Sequence, residues 1–102
     1  MADAYVALLL VHLHFPEAGS LKAKRKDLAS VKAQLHGRMG VTVAEVSHQD
    51  LWQRATLAAA LTGGSPSQLH DATDRVERFL LERFPETCRL ERTVVSFDEV
   101  WE

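Results

Sequence analysis

The chain has 102 residues, of which 46% are hydrophobic and 25% charged, the composition of one ordinary globular domain with little room for a second. Its formal net charge of −2 at pH 7 argues against a general nucleic-acid binder, a class that is normally basic. The single cysteine, Cys88, excludes an intramolecular disulfide and favours a reducing compartment. The first apolar run, residues 4–11, is too short to span a bilayer and lacks a signal peptide's basic start. We therefore expect a cytoplasmic protein without membrane association.

The first part of the chain reads as a strand followed by a helix. Residues 5–15 alternate with period two and are apolar on both faces at first, which predicts a central strand that ends before Pro16. Ser20 is a suitable N-cap for a helix that runs to about Met39 with one apolar stripe. Gly40 follows in the position where glycine ends helices.

The remainder predicts a hairpin, a second helix and a last strand. Residues 41–46 and 52–62 are the hairpin strands, joined by a polar corner. Ser65 is the N-cap of the second helix, which Pro85 ends. Residues 88–100 contain the last strand. The order β-α-β-β-α-β with right-handed crossovers predicts one ferredoxin-like α+β domain over residues 1–102, a four-stranded antiparallel sheet with two helices on one face.

The polar corner concentrates hydrogen-bonding side chains and one tryptophan. Its members are Glu45, His48, Gln49, Asp50, Trp52 and Gln53, followed by Arg54. The simplest interpretation is a hairpin corner in which Trp52 closes one end of the core. We also expect Asp50 and Arg54 to share one polar network, with Lys24 or Glu45 as a third member.

Two segments resemble a known family. Residues 14–25, His-Phe-Pro-Glu-Ala-Gly-Ser-Leu-Lys-Ala-Lys-Arg, together with residues 44–55, are similar to the YlxP-like family of small uncharacterised bacterial proteins, and the likeness runs from the first strand into the last. The resemblance implies a ferredoxin-like fold and a bacterial cytoplasmic protein. The resemblance also implies that, in some bacteria, the gene is similar in placement to the genes of transcription and translation factors. It implies no established reaction and assigns no catalytic residue.

Positive charge is concentrated at the first helix. Residues 20–40 carry six Lys and Arg against one Asp, whereas residues 66–102 carry five Arg against nine carboxylates. Lys22, Lys24, Arg25 and Lys26 lie in the first two turns, where the helix dipole disfavours cations. With Arg54 they form a predicted site for an anion or RNA. The alternative is a solvated charged face with one structural ion pair.

Helical geometry separates Lys24 from its neighbours. At 100° per residue, Lys22, Arg25 and Lys26 spread over the exposed side, while Lys24 falls within the apolar stripe. A cation in that position must reach the sheet rim or meet a carboxylate. The candidate carboxylates are Glu17, Glu45 and Asp50.

Catalytic and metal chemistry are weakly supported. His12 and His14 share one strand face, but no third ligand at a fixed spacing supports a metal site. His48 and Asp50 could form an acid–base pair, but no motif places a nucleophile, and Cys88 reads as a small core residue. Acylphosphatases have similar topology but need an Asn, which this chain lacks. We expect no catalytic residue, metal or cofactor.

Two functions therefore remain. The first is a non-catalytic accessory protein that binds RNA or a ribosomal particle through the basic helix start. The second is a self-associating structural or small-ligand-binding domain that uses the sheet face left open by the helices, as a two-fold homodimer. The apolar residues assigned to that face are Leu8, Leu10, Ala58 and Ala60. A competing prediction is that residues 98–102, with Trp101, fold across the face.

Overall fold

The structure, a computed structural model, describes residues 3–16 and 18–101. Glu17 and Glu102, which the sequence predictions included, lie outside the described residues. The elements follow the predicted order and are β1 (Tyr5–His14), α1 (Leu21–Met39), β2 (Thr42–Ser47), β3 (Arg54–Gly63), α2 (Pro66–Arg83), β4 (Cys88–Ser96) and a short α3 (Phe97–Val100). The predicted ferredoxin-like fold is confirmed.

The four strands form one antiparallel sheet with spatial order β2-β3-β1-β4. β1 is central and pairs with β3 on one side and β4 on the other, with His14 opposite Arg54 and His12 opposite Arg89. Because side chains alternate across a strand, the residues opposite each other share one face. The sheet therefore has a helix-covered face and an open face.

Local sequence sets the helix ends. The Ser20 hydroxyl accepts a hydrogen bond from the Ala23 amide at 3.1 Å, and the Ser65 hydroxyl accepts one from the Gln68 amide at 3.2 Å. These bonds satisfy amides that have no partner within the helix. Gly40 ends α1 with φ 67°, a left-handed conformation that only glycine adopts readily.

The core lies between the sheet and the two long helices. β1 contributes Ala7, Leu9, Val11 and Leu13, each at most 4% exposed, from one side of its alternation. The other fully or nearly buried apolar residues are Phe15, Ala18, Leu28, Val31, Leu35, Val41, Ala55, Leu57, Ala59, Leu69, Val76 and Leu80. None of the described helices is both long enough and apolar enough to cross a membrane.

Two details differ from the predictions. β3 begins at Arg54 rather than at Trp52, which is 53% exposed, so the prediction that Trp52 closes the core is wrong. β4 ends at Ser96, because Ser96 and Glu99 form a reciprocal capping box that starts α3. The exposed Trp101 stacks on Phe97 with ring centroids 5.7 Å apart.

Candidate functional site

Lys24 is the buried cation of the first helix. Its side chain is 1% exposed, because its position in α1 faces the sheet together with Leu28 and Val31. Its Nζ donates to the His48 carbonyl at 2.6 Å and lies 3.3 Å from Glu45 Oε2. The prediction that Lys24 meets a carboxylate is therefore confirmed with Glu45 as partner, whereas an external anion cannot reach it. Its place in the predicted anion-binding set is wrong.

Glu45 reaches Lys24 because of its place on β2. It pairs with Leu57 of β3, whose side chain is buried beneath the helices, so Glu45 points to the same side. Its Oε2 is buried and accepts no hydrogen bond of good geometry from the described residues. The ion pair is therefore the main compensation for this carboxylate oxygen.

The polar corner is more exposed than predicted. His48, Gln49, Asp50, Trp52, Gln53 and Arg54 are all exposed. Among the described residues, neither Asp50 nor Arg54 forms an ion pair, so the expected Asp50–Arg54 network is wrong. The corner is attached to the end of β1 instead, since the Phe15 amide donates to the Gln53 carbonyl at 2.8 Å. Lys24 holds its other side through His48.

The four exposed cations of the predicted set fall on two sides of the molecule. Lys22, Arg25 and Lys26 are exposed at the start of α1, which packs on the helix-covered face. Arg54 lies opposite the exposed His14, at one end of the open face. The structure therefore brings three of the five predicted cations together and separates Arg54 and Lys24 from them.

The end of the open face that holds Arg54 is a polar hollow of about 530 Å³. Its wall includes His12 and His14 from β1, His48 before β3, and Arg54, Ala55 and Thr56 from β3. Leu13, Glu86, Thr87, Cys88 and Arg89 complete it. We call it the polar hollow. Among the described residues, no group of three or more His, Cys, Asp or Glu side chains is arranged to hold a metal ion.

A small polar network borders the polar hollow. His12 Nε2 lies 2.8 Å from Glu91 Oε2, and Arg89 Nη1 lies 3.9 Å from the same oxygen. The hydrogen bond from His12, with the charge of Arg89, lowers the pKa of Glu91. Burial and the nearby Glu77 carboxylate raise the pKa of the Cys88 thiol to about 11. Cys88 is therefore a neutral thiol rather than a nucleophile.

The centre of the open face is apolar. Leu8 is 46% exposed, and Leu10, Ala58 and Ala60 are half-buried around it. Leu8 lies opposite Ala60, and Leu10 opposite Ala58, across β1 and β3. The predicted set therefore forms one patch. The short α3 contacts β4 and Leu8 stays exposed, so the described part of the last segment does not cover the patch as the competing prediction required.

Residues of β4 and its preceding turn were missed by sequence reasoning. Glu86 and Arg89 line the polar hollow, and Glu91 lies beside it, because β1 pairs with β4. Strand alternation in β4 was the available signal, since it places Arg89 and Glu91 on one face. The opposing residues on β1 are unknown until the register is fixed.

Topology and surface together define a ferredoxin-like domain with an open sheet face and two separate cationic regions. The chain belongs to the family described as "Protein of unknown function (DUF503)", whose sequence profile matches residues 6–93. It is 35% identical over 78 residues to the protein of Bacillus subtilis (strain 168) named "Uncharacterized protein YlxP", with 76% of this chain and 80% of that protein covered. The predicted resemblance to the YlxP-like family is confirmed.

One solved structure supports the fold. The de novo designed protein Foldit4 is similar with a TM-score of 0.58 and 8% identity over 91% of this chain and 97% of that one, so this likeness concerns the fold alone. A dimeric ferredoxin-like protein from an uncultured marine organism was also found, with a TM-score of 0.43 and 16% identity over 91% of this chain and 90% of that one.

Proposed function

We propose that this protein is a non-catalytic accessory protein that binds RNA, free or within a ribosomal particle, through the exposed start of α1. The observation that carries the proposal is the group Lys22, Arg25 and Lys26, which are exposed in the first two turns while no acidic residue stands in the first turn. Cations here oppose the helix dipole at a cost of about 0.3–1 kcal/mol each. None of these three cations forms an ion pair within the described residues, so nothing there offsets this cost. An external polyanion would offset it, and this supports RNA as the ligand.

The chemistry of the surface agrees with contacts to phosphate rather than to bases. Lysine and arginine neutralise phosphates and release condensed counterions, so binding weakens steeply with salt. The first two turns of α1 offer charge without an aromatic side chain on which a base could stack. We therefore expect binding that follows RNA shape and backbone more than sequence.

Filter binding to purified ribosomal RNA over a series of salt concentrations tests this proposal. Replacing Lys22, Arg25 and Lys26 together by Gln should weaken binding and reduce the slope of log affinity against log salt by about 2, since single-stranded sites contribute about 0.7 per phosphate contact. The thermal midpoint should stay unchanged or rise slightly.

A matched control removes the same charge elsewhere. Arg75, Arg78 and Arg83 lie on α2 and are exposed, so replacing these three by Gln changes the net charge equally. This control should bind RNA like the wild type. Equal binding by the wild type and the α1 variant at low salt would contradict the proposal.

We also propose that the chain self-associates as a two-fold homodimer through the open sheet face. The supporting observation is the patch around Leu8, which is 46% exposed beside Leu10, Ala58 and Ala60. Soluble monomers seldom leave large contiguous apolar patches bare, and a two-fold dimer is the commonest closed solution. The small side chains of Ala58 and Ala60 permit close approach of a second sheet.

Light scattering distinguishes this surface from the rest of the molecule. Leu8→Glu should convert a wild-type dimer into a monomer. Leu81 on α2 is 42% exposed and lies outside the sheet, so Leu81→Glu is the matched control and should leave the dimer intact. A wild-type protein that is monomeric at micromolar concentrations and above would refute self-association.

A further inference from the structure

We propose that the polar hollow is a binding site for a small molecule that carries a phosphate monoester, held by Arg54 with the imidazoles of His14 and His48. The site is at one end of the open face, does not include Lys22, Arg25 or Lys26 among its lining residues, and does not depend on RNA binding. The ligand class follows from the kind of groups that converge on the hollow, from their lack of partners and from the backbone conformation around them.

Sheet register brings the groups together. Arg54 lies opposite His14 across β1 and β3, and His12 lies opposite Thr56 two residues away. Two residues along a strand span about 7 Å, so side chains from both rows can reach one tetrahedral anion. His48 enters from the corner that precedes β3 and completes the wall. The guanidinium supplies a planar pair of donors that matches phosphate oxygens.

The basic side chains of the hollow divide into those that already have a partner and those that have none. His12 and Arg89 face Glu91 at 2.8 Å and 3.9 Å. Within the described residues, the side chains of Arg54, His14 and His48 form neither an ion pair nor a hydrogen bond. Their donors are therefore available to a ligand.

Backbone conformation supports the same location. In the described part of the chain, His48 and Glu86 are the two non-glycine residues with positive φ, each 64°, and both line the polar hollow. Such conformations are strained for non-glycine residues and cluster at binding sites, where the surrounding structure enforces them. At His48 the enforcing contact is the buried Lys24 amine, which binds the His48 carbonyl at 2.6 Å.

The carboxylates near the hollow leave one guanidinium for an anion. Arg54, Arg89 and Glu86 line the hollow, and Glu91 lies 3.9 Å from Arg89. The hydrogen bond from His12 lowers the pKa of Glu91, and the thiol of Cys88 stays neutral with a pKa of about 11. Because Arg89 faces Glu91, Arg54 is the arginine of the hollow that is left for a bound anion.

Glu86 limits which phosphates fit. It is an exposed carboxylate on the wall of the hollow and repels a second phosphate while accepting a hydrogen bond from a hydroxyl or amino group. The combination favours a monoester with a hydroxyl-bearing remainder, such as a nucleoside monophosphate, over pyrophosphate. The hollow's volume of about 530 Å³ lies within the usual range for small-molecule sites, about 300–1,000 Å³.

The test is a titration of the full chain followed by NMR of the histidine ring protons, with inorganic phosphate, AMP and adenosine as probes. Phosphate and AMP should shift the His14 and His48 signals with saturation, while adenosine should not. Arg54→Gln should weaken AMP binding at least tenfold, because a hydrogen bond to a charged group contributes about 1.5–3 kcal/mol. Arg78→Gln on α2, a matched loss of an exposed arginine, should have no effect.

A further arm separates this proposal from the RNA-binding proposal. The triple Gln variant of Lys22, Arg25 and Lys26 should keep its AMP affinity, so a failure of the RNA proposal leaves this one standing. Circular dichroism checks that each variant is folded. Absence of saturable histidine shifts, or equal AMP affinity of Arg54→Gln and Arg78→Gln, would overturn the proposal.

Discussion

The buried ion pair of Lys24 offers a quantitative test of how the corner is held. Replacing Lys24 by Met keeps most of the side-chain volume and removes the amine. The change leaves the buried Glu45 Oε2 without the cation 3.3 Å away and the His48 carbonyl without its donor at 2.6 Å. Breaking a buried pair costs about 3–5 kcal/mol. Because the Glu45 side chain is 19% exposed, we expect a loss near the lower end, about 3 kcal/mol.

That loss is large against the whole stability of such a domain, which is about 5–15 kcal/mol. Urea denaturation should therefore show a clear shift in midpoint with an unchanged slope. Lys26→Met on the exposed side of α1 is the control and should stay within about 0.5 kcal/mol of the wild type. Hydrogen exchange should also quicken in residues 48–53 of the Lys24 variant, since their anchor to α1 is gone.

A double-mutant cycle separates the pair from other effects of the lysine. Adding Glu45→Leu to Lys24→Met removes the uncompensated carboxylate, so the double variant should recover about 1–2 kcal/mol relative to Lys24→Met alone. Only the His48 carbonyl then remains unsatisfied, at about 1–3 kcal/mol. Additive single changes, or a loss below about 1 kcal/mol for Lys24→Met, would refute the view that the pair holds the corner.

The other predictions concern single sites. Asp50→Ala should change the free energy of unfolding by less than about 0.5 kcal/mol, since Asp50 is exposed and forms no ion pair in the described residues; a loss above 1 kcal/mol in urea titration would contradict this. Gly40→Ala should lower the free energy of unfolding by about 1–2 kcal/mol in the same assay, because φ at this residue is 67°. An added Cβ would meet nothing within 4 Å, so the loss reports backbone strain alone, and a neutral result would show that this strain is absent. Cys88, with a pKa of about 11, is about one-thousandth ionised at pH 8. Iodoacetamide should therefore alkylate this thiol slowly in the folded chain and faster once urea unfolds it. Equal alkylation rates in the folded and unfolded chain would contradict the raised pKa. Folding raises the pKa of this thiol from its ordinary value of 9.0 to about 11. The contribution of this group to the free energy of unfolding is therefore fully present below about pH 9 and is lost as the pH rises towards 11.

The fold was predictable because each element carries its own signal. Alternation marks β1, the Ser20 and Ser65 caps start both long helices, and Gly40 ends the first. With those elements placed, right-handed crossovers leave one compact arrangement. The buried position of Lys24 was predictable for the same reason, since 100° per residue is a reliable geometry within a helix.

The polar corner and the polar hollow were harder to predict from the sequence, because they depend on irregular backbone and on pairing between distant parts of the chain. The corner turns outward because the register shifts between Glu45 and Ser47 and because His48 has a left-handed conformation. Neither feature is indicated by a periodic pattern in the sequence. Asp50, Trp52 and Arg54 therefore could not be placed. The contact of His12 with Glu91 joins residues 79 positions apart, and only the β1–β4 register supplies it.

The Lys24–Glu45 pair has a consequence for aggregation. β2 is an edge of the sheet, and an exposed edge invites a strand from another chain to extend the sheet into a fibre. A short strand of 6 residues, an irregular register and an inward-pointing carboxylate are devices that block such addition. A foreign strand that displaced β2 would leave the buried Lys24 amine without its carboxylate partner, Glu45. The buried pair therefore lets the chain keep an apolar open face without adding strands at the β2 edge. Substitutions that replace the pair by apolar residues would make strand addition at this edge easier.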